Sequence, residues 1–205
     1  MRGALEIGSA ASTGARASRR SIAPFVRWYA APIRIMHIER VATRALPERT
    51  LVELRELCDL AYGQPVFDTF GGAEHVLGWE RGRLVAHAMW IRRWLQPLGW
   101  APLATAYVEL VATHPNDRNR GYATAIMERV AAEIADEEWG ALSPATEGLY
   151  SRLGWQVWSG PLFVRTPDGL KSTPDDHVMV LPLLRTPALD MQAPLSIEWR
   201  PGEVW

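Results

Sequence analysis

The stretch His114-Pro115-Asn116-Asp117-Arg118-Asn119-Arg120-Gly121-Tyr122-Ala123-Thr124 decides how the rest of the chain is read. A strand-like run, Ala104 to Thr113, leads into it. After it, apolar residues recur at Ala123, Ile126, Met127, Val130, Ala131 and Ile134, the spacing of one face of an amphipathic helix. A strand therefore enters a short glycine-containing loop that opens a helix, predicted over about residues 120–136. The first-turn N–H groups of a helix have no partner within it, and the helix dipole is positive at that end. Gly121 lets the backbone approach a bound group closely, and Arg118 and Arg120 add positive charge. The combination predicts a seat for a pyrophosphate. The same residues also read as a capped helix after a tight turn. They are not a dinucleotide fingerprint, which needs three glycines, nor a P-loop, since no Gly-Lys-Ser/Thr follows.

The bulk properties narrow the class. A length of 205 residues fits one domain, or one domain with a tail, and a hydrophobic fraction of 48% supplies a sizeable core. The net charge of −1 gives no general argument for nucleic acid or a membrane surface as partner. No apolar run reaches the roughly 18–20 residues of a membrane span. The single Cys58 excludes an intrachain disulfide, and its place in a helical pattern reads as a core thiol, with no histidine in a matching context to activate it. His37, His75, His87, His114 and His177 form no metal-ligand spacing.

Residues 1–34 differ from the remainder. Arg2, Arg16, Arg19, Arg20, Arg27 and Arg34 face only Glu6, with many Ala and Ser and no sustained period. This composition reads as a disordered tail, a start placed ahead of Met36, or a targeting presequence. Residues 35–205 read as the folded domain. A first strand is predicted over Ile35 to Val41. Pro47 and Glu48 then open a helix with apolar Leu51, Leu54, Leu57, Cys58 and Ala61, ended by Gly63-Gln64-Pro65. A hairpin pairs residues 76–79 with 84–91, and a further strand covers about 103–113. After the central helix come a short strand at Gly140–Ser143, a short helix at Ala145–Leu153 closed by Gly154, and a strand at Trp155–Trp158. Residues 160–177 read as a surface loop, and Val178–Leu183 as the last clear strand. The order predicts an α/β (α+β) mixed sheet with helices on both faces.

Arg118-x-x-Gly121-x-Ala123 resembles the Arg/Gln-x-x-Gly-x-Gly/Ala signature of the GNAT acetyltransferase superfamily, and Leu149-Tyr150-x-x-x-Gly154-Trp155 resembles a second element of it. The likeness narrows at Tyr107-Val-Glu-Leu-Val111, Ala141-Leu-Ser143, Trp158-x-Gly160-Pro161, Thr173-Pro-Asp-Asp176, Val180-Leu-Pro182 and the ending Glu198-Trp-Arg-x-Gly-Glu-Val-Trp205. Together these resemble the aminoglycoside 2'-N-acetyltransferase family, over roughly Met36 to Trp205.

The resemblance implies the GNAT fold, acetyl-CoA as acyl donor, transfer to a primary amine, a cytoplasmic location and a homodimer. It implies that Val111, Ala112 and Thr113 hold the pantetheine arm and thioester carbonyl on a strand splayed from its neighbour, an oxyanion-hole arrangement. The pyrophosphate would sit on Arg118, Asn119, Arg120, Gly121, Tyr122, Ala123 and Thr124. Glu109 resembles the base that takes the proton of the amine, through a water, with His114 as a rival. Tyr150 resembles the acid for the departing thiolate. A polycationic acceptor needs carboxylates, and Asp68, Asp175, Asp176, Glu198, Glu203 and the terminal carboxylate of Trp205 are the supply; Ser143 and the Leu110 backbone match further acceptor contacts. A chain ending on Trp205 leads us to expect that this end is used. The segment Gln64–Gly71 is shorter and carries one acid where the family is longer and acidic, and Leu110 replaces a glycine. A smaller, less cationic aminosugar fits these departures, as in the branch that acts on kasugamycin, which carries its own carboxylate. Acetylation of another small amine, and a catalytically silent acyl-CoA-binding module, are the alternatives.

Overall fold

The computed structural model describes residues 36–66 and 72–205. The expected tail at residues 1–34 and the candidate Asp68 lie outside the described residues.

The first strand, β1 (His37–Ala42), is followed by helix α1 (Glu48–Tyr62). Pro47 is the N-cap, Glu48 places negative charge at the positive end, and Gly63, in the left-handed region at φ 74°, closes the helix by donating its N–H to the Asp59 carbonyl at 2.9 Å. The hairpin is longer than its hydrophobic pattern suggested: β2 (Glu74–Glu80) pairs with β3 (Arg83–Pro97), which continues past the hairpin because it gains partners on both edges. The strand β4 (Leu103–Thr113) and the helix α2 (Tyr122–Glu133) frame the glycine loop. Then come β5 (Trp139–Leu142), α3 (Gly148–Arg152), β6 (Gln156–Val157), β7 (Leu162–Thr166), β8 (Gly169–Ser172), β9 (Met179–Pro182) and β10 (Leu195–Glu198).

The ten strands of the described residues form one mixed sheet in the order β6-β9-β5-β4-β3-β10-β7-β8, with β2 also on β3 and β1 on β2. The two-residue alternation of the strands sorts side chains between two faces. Val76, Ala106, Val108 and Leu142 pack with Ile126, Met127 and Val130 of α2, whereas Leu77 and Ala112 pack with Leu54, Leu57 and Cys58 of α1. Farther along the α1 face, Tyr107, Trp139 and Ala141 pack with Trp158, Leu195, Ile197 and Trp205, so the C-terminal segment covers what α1 does not reach. Helices on both faces agree with the predicted architecture.

Two segments differ from the sequence reading. Residues 160–177 hold the β7–β8 hairpin, and β10 follows the strand read as the last. Pro161, Pro167, Gly169 and Pro174 dominate the pattern there, β8 lies at the sheet edge with every side chain exposed, and β10 is buried between β3 and β7, so none of these strands shows a clean alternation. The Trp158-x-Gly160-Pro161 motif docks the next segment. Gly160 donates to the Met191 carbonyl at 3.0 Å, Trp158 Nε1 donates to the Ala193 carbonyl at 2.8 Å, and a Cβ on Gly160 would stand 2.0 Å from Ala193 O.

What positions the site is β4. It pairs with β5 only at Thr105, Ala106 and Tyr107, whereas its pairing with β3 extends to Thr113. From Val108 onward, one edge of β4 is therefore free of β5. The β3 register places Glu109 opposite Met89 and Ala112 opposite His87, leaving Leu110 and Val111 to face Ala88 alone. This is a β-bulge. Leu110 takes φ +49°, which costs a non-glycine residue about 1–2 kcal/mol.

Candidate active site

Two cavities open along the free edge of β4. The first, about 510 Å³, is bounded by α1 (Ala61, Tyr62), β4 (Val108 to Val111, Thr113), Arg118 and Ala123, and the α3 side (Leu149, Tyr150). The second, about 550 Å³, is bounded by Tyr107, Glu109, Leu110 and Ser143 and by Arg200, Glu203 and Trp205 of the C-terminal segment. Tyr62, Val108, Glu109, Leu110 and Ser143 line both, so the cavities meet at Glu109.

At the far end of the first cavity stands the glycine loop. Asn119 (φ +63°) and Gly121 (φ +81°) are both left-handed, which turns successive backbone N–H groups toward one side. The first helical bond of α2 runs from Ala125 N to Gly121 O, so the N–H groups of Tyr122, Ala123 and Thr124 precede it. The loop is braced by Asp117, which is 2% exposed and receives Arg83 and Arg120, each at 2.6 Å. Burial alone would raise the Asp117 carboxyl, but the hydrogen bond and charge of Arg83, with the charges of Arg120 and His114, hold it below the ordinary carboxylate range. Arg120 is thus committed to the loop scaffold and is not the free cation expected. Arg118 lines the cavity and also ties the loop to α1 through the Ala61 carbonyl at 2.9 Å. His114 accepts from Asn116 N at 3.3 Å and borders a separate hollow with Arg49 and Leu57, away from Glu109.

Along the strand, Val111 and Thr113 face the first cavity, and the Ala112 side chain is buried against α1. The Thr113 hydroxyl is buried with no hydrogen-bond partner among the described residues. The Tyr62 hydroxyl donates to the Val111 carbonyl at 3.4 Å. Tyr150 meets Trp155 edge-on, ring centroids 6.2 Å apart, and burial pushes its hydroxyl up to about 12, so it keeps its proton at neutral pH.

Glu109 has the partner that the sequence reading missed: Arg200 Nη2 donates to its Oε1 at 2.5 Å, with the two side chains 17% and 13% exposed for Arg200 and Glu109. Burial raises the Glu109 carboxyl, and the charge and hydrogen bond of Arg200 and the charge of Arg93 only partly oppose it, so the group sits above the ordinary glutamate range. Ser143 is exposed and lines both cavities. Glu203 lines the second cavity, and its carbonyl accepts from Arg200 Nε. Trp205 closes the wall, its indole donating to Thr173 Oγ1 at 2.9 Å.

Three acidic candidates stand elsewhere. Asp175 and Asp176 lie exposed in the turn after β8, where Asp176 N donates to the Thr173 carbonyl, and neither lines the cavities. Glu198 is spent on Arg93, which donates to its Oε1 at 2.6 Å and to its carbonyl at 2.8 Å, and on Trp94 N at 3.0 Å. Arg93 also donates to Val204 O at 3.0 Å and so holds the cavity wall in place. The Leu110 carbonyl is engaged by the ring of His87 at 2.9 Å. Cys58 does have a histidine beside it, His87 Nδ1 at 3.7 Å, but the thiol is fully buried and pushed up to about 12 by desolvation, so it behaves as the core thiol expected.

A splayed strand pair, a bulge on the free edge of β4 and a helix N-terminus at the end of one cavity make up the candidate active site. Residues 43–158 match the family model described as acetyltransferase (GNAT) domain. The chain is 35% identical over 192 residues to an aminoglycoside 2'-N-acetyltransferase of Mycolicibacterium fortuitum, a match covering 85% of this chain and 96% of that one. In solved structures the fold is similar to that of Escherichia coli ElaA (TM-score 0.53, 16% identity, 72% of this chain and 99% of that one). It is also similar to Eis1 of Mycobacterium abscessus (TM-score 0.52, 18% identity), where the match covers 63% of this chain and 33% of that one. The chain belongs to the GNAT acetyltransferase superfamily, in the family of its aminoglycoside 2'-N-acetyltransferase relative, and is an acyltransferase. Among the described residues, no helix is long and apolar enough to cross a membrane.

Proposed function

We propose that this acyltransferase uses acetyl-CoA to acetylate the 2'-amino group of an aminoglycoside antibiotic, so conferring resistance, with kasugamycin as the acceptor. The observation that carries this reading is the meeting of the two cavities at Glu109.

The first cavity fits the acyl donor. It has a strand edge free of β5 and, among the described residues, a buried Thr113 hydroxyl without a partner and helix N–H groups without one at one end. Acetyl-CoA, when bound, supplies an acetyl group activated as a thioester. The backbone of Val111, Ala112 and Thr113 holds the arm and polarises the acyl oxygen. Arg118, Asn119, Gly121 and the N–H groups of Tyr122, Ala123 and Thr124 hold the phosphates, and Arg120 braces them through Asp117.

On the other side, Glu109 accepts the proton that the acceptor ammonium must lose, directly or through a water. A carboxyl raised by burial is better matched to that task near neutral pH than an ordinary glutamate. The Tyr150 hydroxyl, protonated and at the wall of the first cavity, supplies the proton for the departing sulfur.

The acceptor cavity carries Arg200 beside Glu109, and Glu198, Asp175 and Asp176 stand outside it. A guanidinium in that wall suits an acceptor that brings its own carboxylate, and it opposes a densely cationic one. Such an enzyme would act in the cytoplasm as a homodimer, the latter checked by light scattering. The central experiment is mass spectrometry of products from kasugamycin, tobramycin and gentamicin with acetyl-CoA. Kasugamycin should gain one acetyl group at the 2' amine, with slow turnover of the others. Rapid acetylation of tobramycin and gentamicin with kasugamycin untouched refutes the assignment.

A further inference from the structure

The residues around the bulge contain a polar chain that the chemistry above does not use. His75, on β2, and His87, on β3, are 1% and 0% exposed, and their rings stack with centroids 5.3 Å apart. His75 Nδ1 lies 3.0 Å from His87 Nε2, and His75 Nε2 lies 3.0 Å from Thr43 Oγ1. At the other end, His87 Nδ1 lies 2.9 Å from the carbonyl oxygen of Leu110, the bulge residue with positive φ.

We propose that the buried His75–His87 pair is a positioning device that holds the Leu110 carbonyl and thereby aims the Val111 N–H at the acyl oxygen. The inference rests on the acetyltransferase reading of this site.

The hydrogen positions follow from the acceptors. A carbonyl can only accept, so His87 carries its proton on Nδ1. In a neutral ring Nε2 then accepts, which puts the proton of His75 on Nδ1 and leaves its Nε2 to accept from the Thr43 hydroxyl, whose other acceptor, the Ala73 carbonyl at 3.1 Å, already holds the Thr43 N–H at 2.9 Å. The chain closes with two neutral rings and no unpaired ring nitrogen. A charged His87 ring would set two N–H groups against each other at 3.0 Å. Burial agrees: it lowers His75 to about 4 and, helped by the neighbouring His75, lowers His87 to about 3.

The consequence for Val111 is geometric. In a planar trans peptide the C=O and the following N–H point in opposite directions. Fixing the Leu110 oxygen on His87 therefore fixes the Val111 N–H away from His87. Apolar side chains could fill the same interior without desolvating two imidazoles. The polar chain ends instead on the one peptide whose orientation the oxyanion arrangement needs.

The test uses the full chain and the variants His87→Leu, His87→Asn and His87→Gln. The Asn amide nitrogen can stand where Nδ1 stands, while that of Gln falls nearer Nε2. In the unliganded wild type, nitrogen NMR should show both rings neutral with the proton on Nδ1. The Val111 amide resonance should move in His87→Leu and stay near wild type in His87→Asn. In turnover, His87→Leu should lose about tenfold to a hundredfold in kcat, below the 10²–10³ of deleting an oxyanion donor outright. Its CoA affinity should stay within about threefold, and His87→Asn should recover most of kcat. If His87→Leu does not fold, the comparison of Asn with Gln decides, and equal loss in both overturns the proposal. A His87 ring protonated on Nε2, or a folded His87→Leu with unchanged Val111 amide and kcat, also overturns it. A wild type that acetylates no amine in the panel removes the proposed function, while the tautomer and amide readouts still judge the positioning device.

Discussion

Replacing Arg200 with Met removes the cation at 2.5 Å from Glu109 and keeps most of the side-chain volume. At an effective dielectric near 20, opposite unit charges about 4 Å apart attract by about 4 kcal/mol. Desolvation of the guanidinium offsets part of this, but even a third of it, about 1.4 kcal/mol, is a factor of ten in proton affinity. Burial already raises the Glu109 carboxyl, and without Arg200 it rises further. The expected outcome is an acid limb of kcat displaced to higher pH, with kcat below neutrality falling by about tenfold or more and its plateau at high pH largely kept, while the KM of an acceptor that carries a carboxylate rises. The same change appears in stability. A carboxyl raised on folding binds its proton more tightly in the native state, so its contribution is complete below the unfolded value and is lost as pH rises through the folded one. In Arg200→Met that window extends further upward, and thermal melts across pH should show stability falling over a wider range. The assay is a pH–rate series at saturating acetyl-CoA, with CoA affinity measured separately. An acid limb that stays in place or moves to lower pH, with CoA affinity unchanged, refutes the pairing as the control on Glu109.

Other outcomes follow from the same structure. Tyr150→Phe removes the hydroxyl that lines the donor cavity and should lower kcat by about 10²-fold with little change in acetyl-CoA affinity, read by thiol release. Asp117→Asn should weaken acetyl-CoA binding, read as a rise in KM, because Arg83 and Arg120 lose their brace. Asp117 is held below its ordinary range, so its stabilisation is present above the unfolded value and is lost as pH falls through the folded one; the variant's melting temperature should depend less on pH at the acid end. Gly160→Ala forces a methyl to 2.0 Å from Ala193 O and should destabilise the fold by about 1–3 kcal/mol or more, measured by denaturant unfolding.

The strand, loop and helix around Gly121 were legible because each is local: an apolar period of 3.6 residues, a glycine at a turn and a strand run before it. Glu109 and Tyr150 were legible through their motifs, and the structure places both on cavity walls. The partner of Glu109 was not, because Arg200 lies 91 residues away and reaches it only after β10 has taken its place beside β3. The Glu198-Trp-Arg motif contained Arg200 but gave no sign of what it faces. Asp117 stands in the quoted loop, but an aspartate in a turn is ordinary until two guanidinium groups converge on it. His87 lay on one arm of the predicted hairpin and His75 just ahead of the other, and only the sheet register and the bulge at Leu110 make His87 a neighbour of that carbonyl and His75 a neighbour of His87. Asp175 and Asp176 show the converse, a motif match whose residues stand in an exposed turn away from the two cavities.

The placement of β10 has a mechanical consequence. Among the described residues, β7 pairs in the strand ladder only with β10 and β8, so the β7–β8 hairpin joins the remaining sheet through that one short strand. Unzipping Leu195–Glu198 would detach the hairpin and release the segment that presents Arg200, Glu203 and Trp205 in a single breathing event. Amide deuterium uptake in the three strands should then share one opening rate, and an acceptor seated on that wall should slow all of them together.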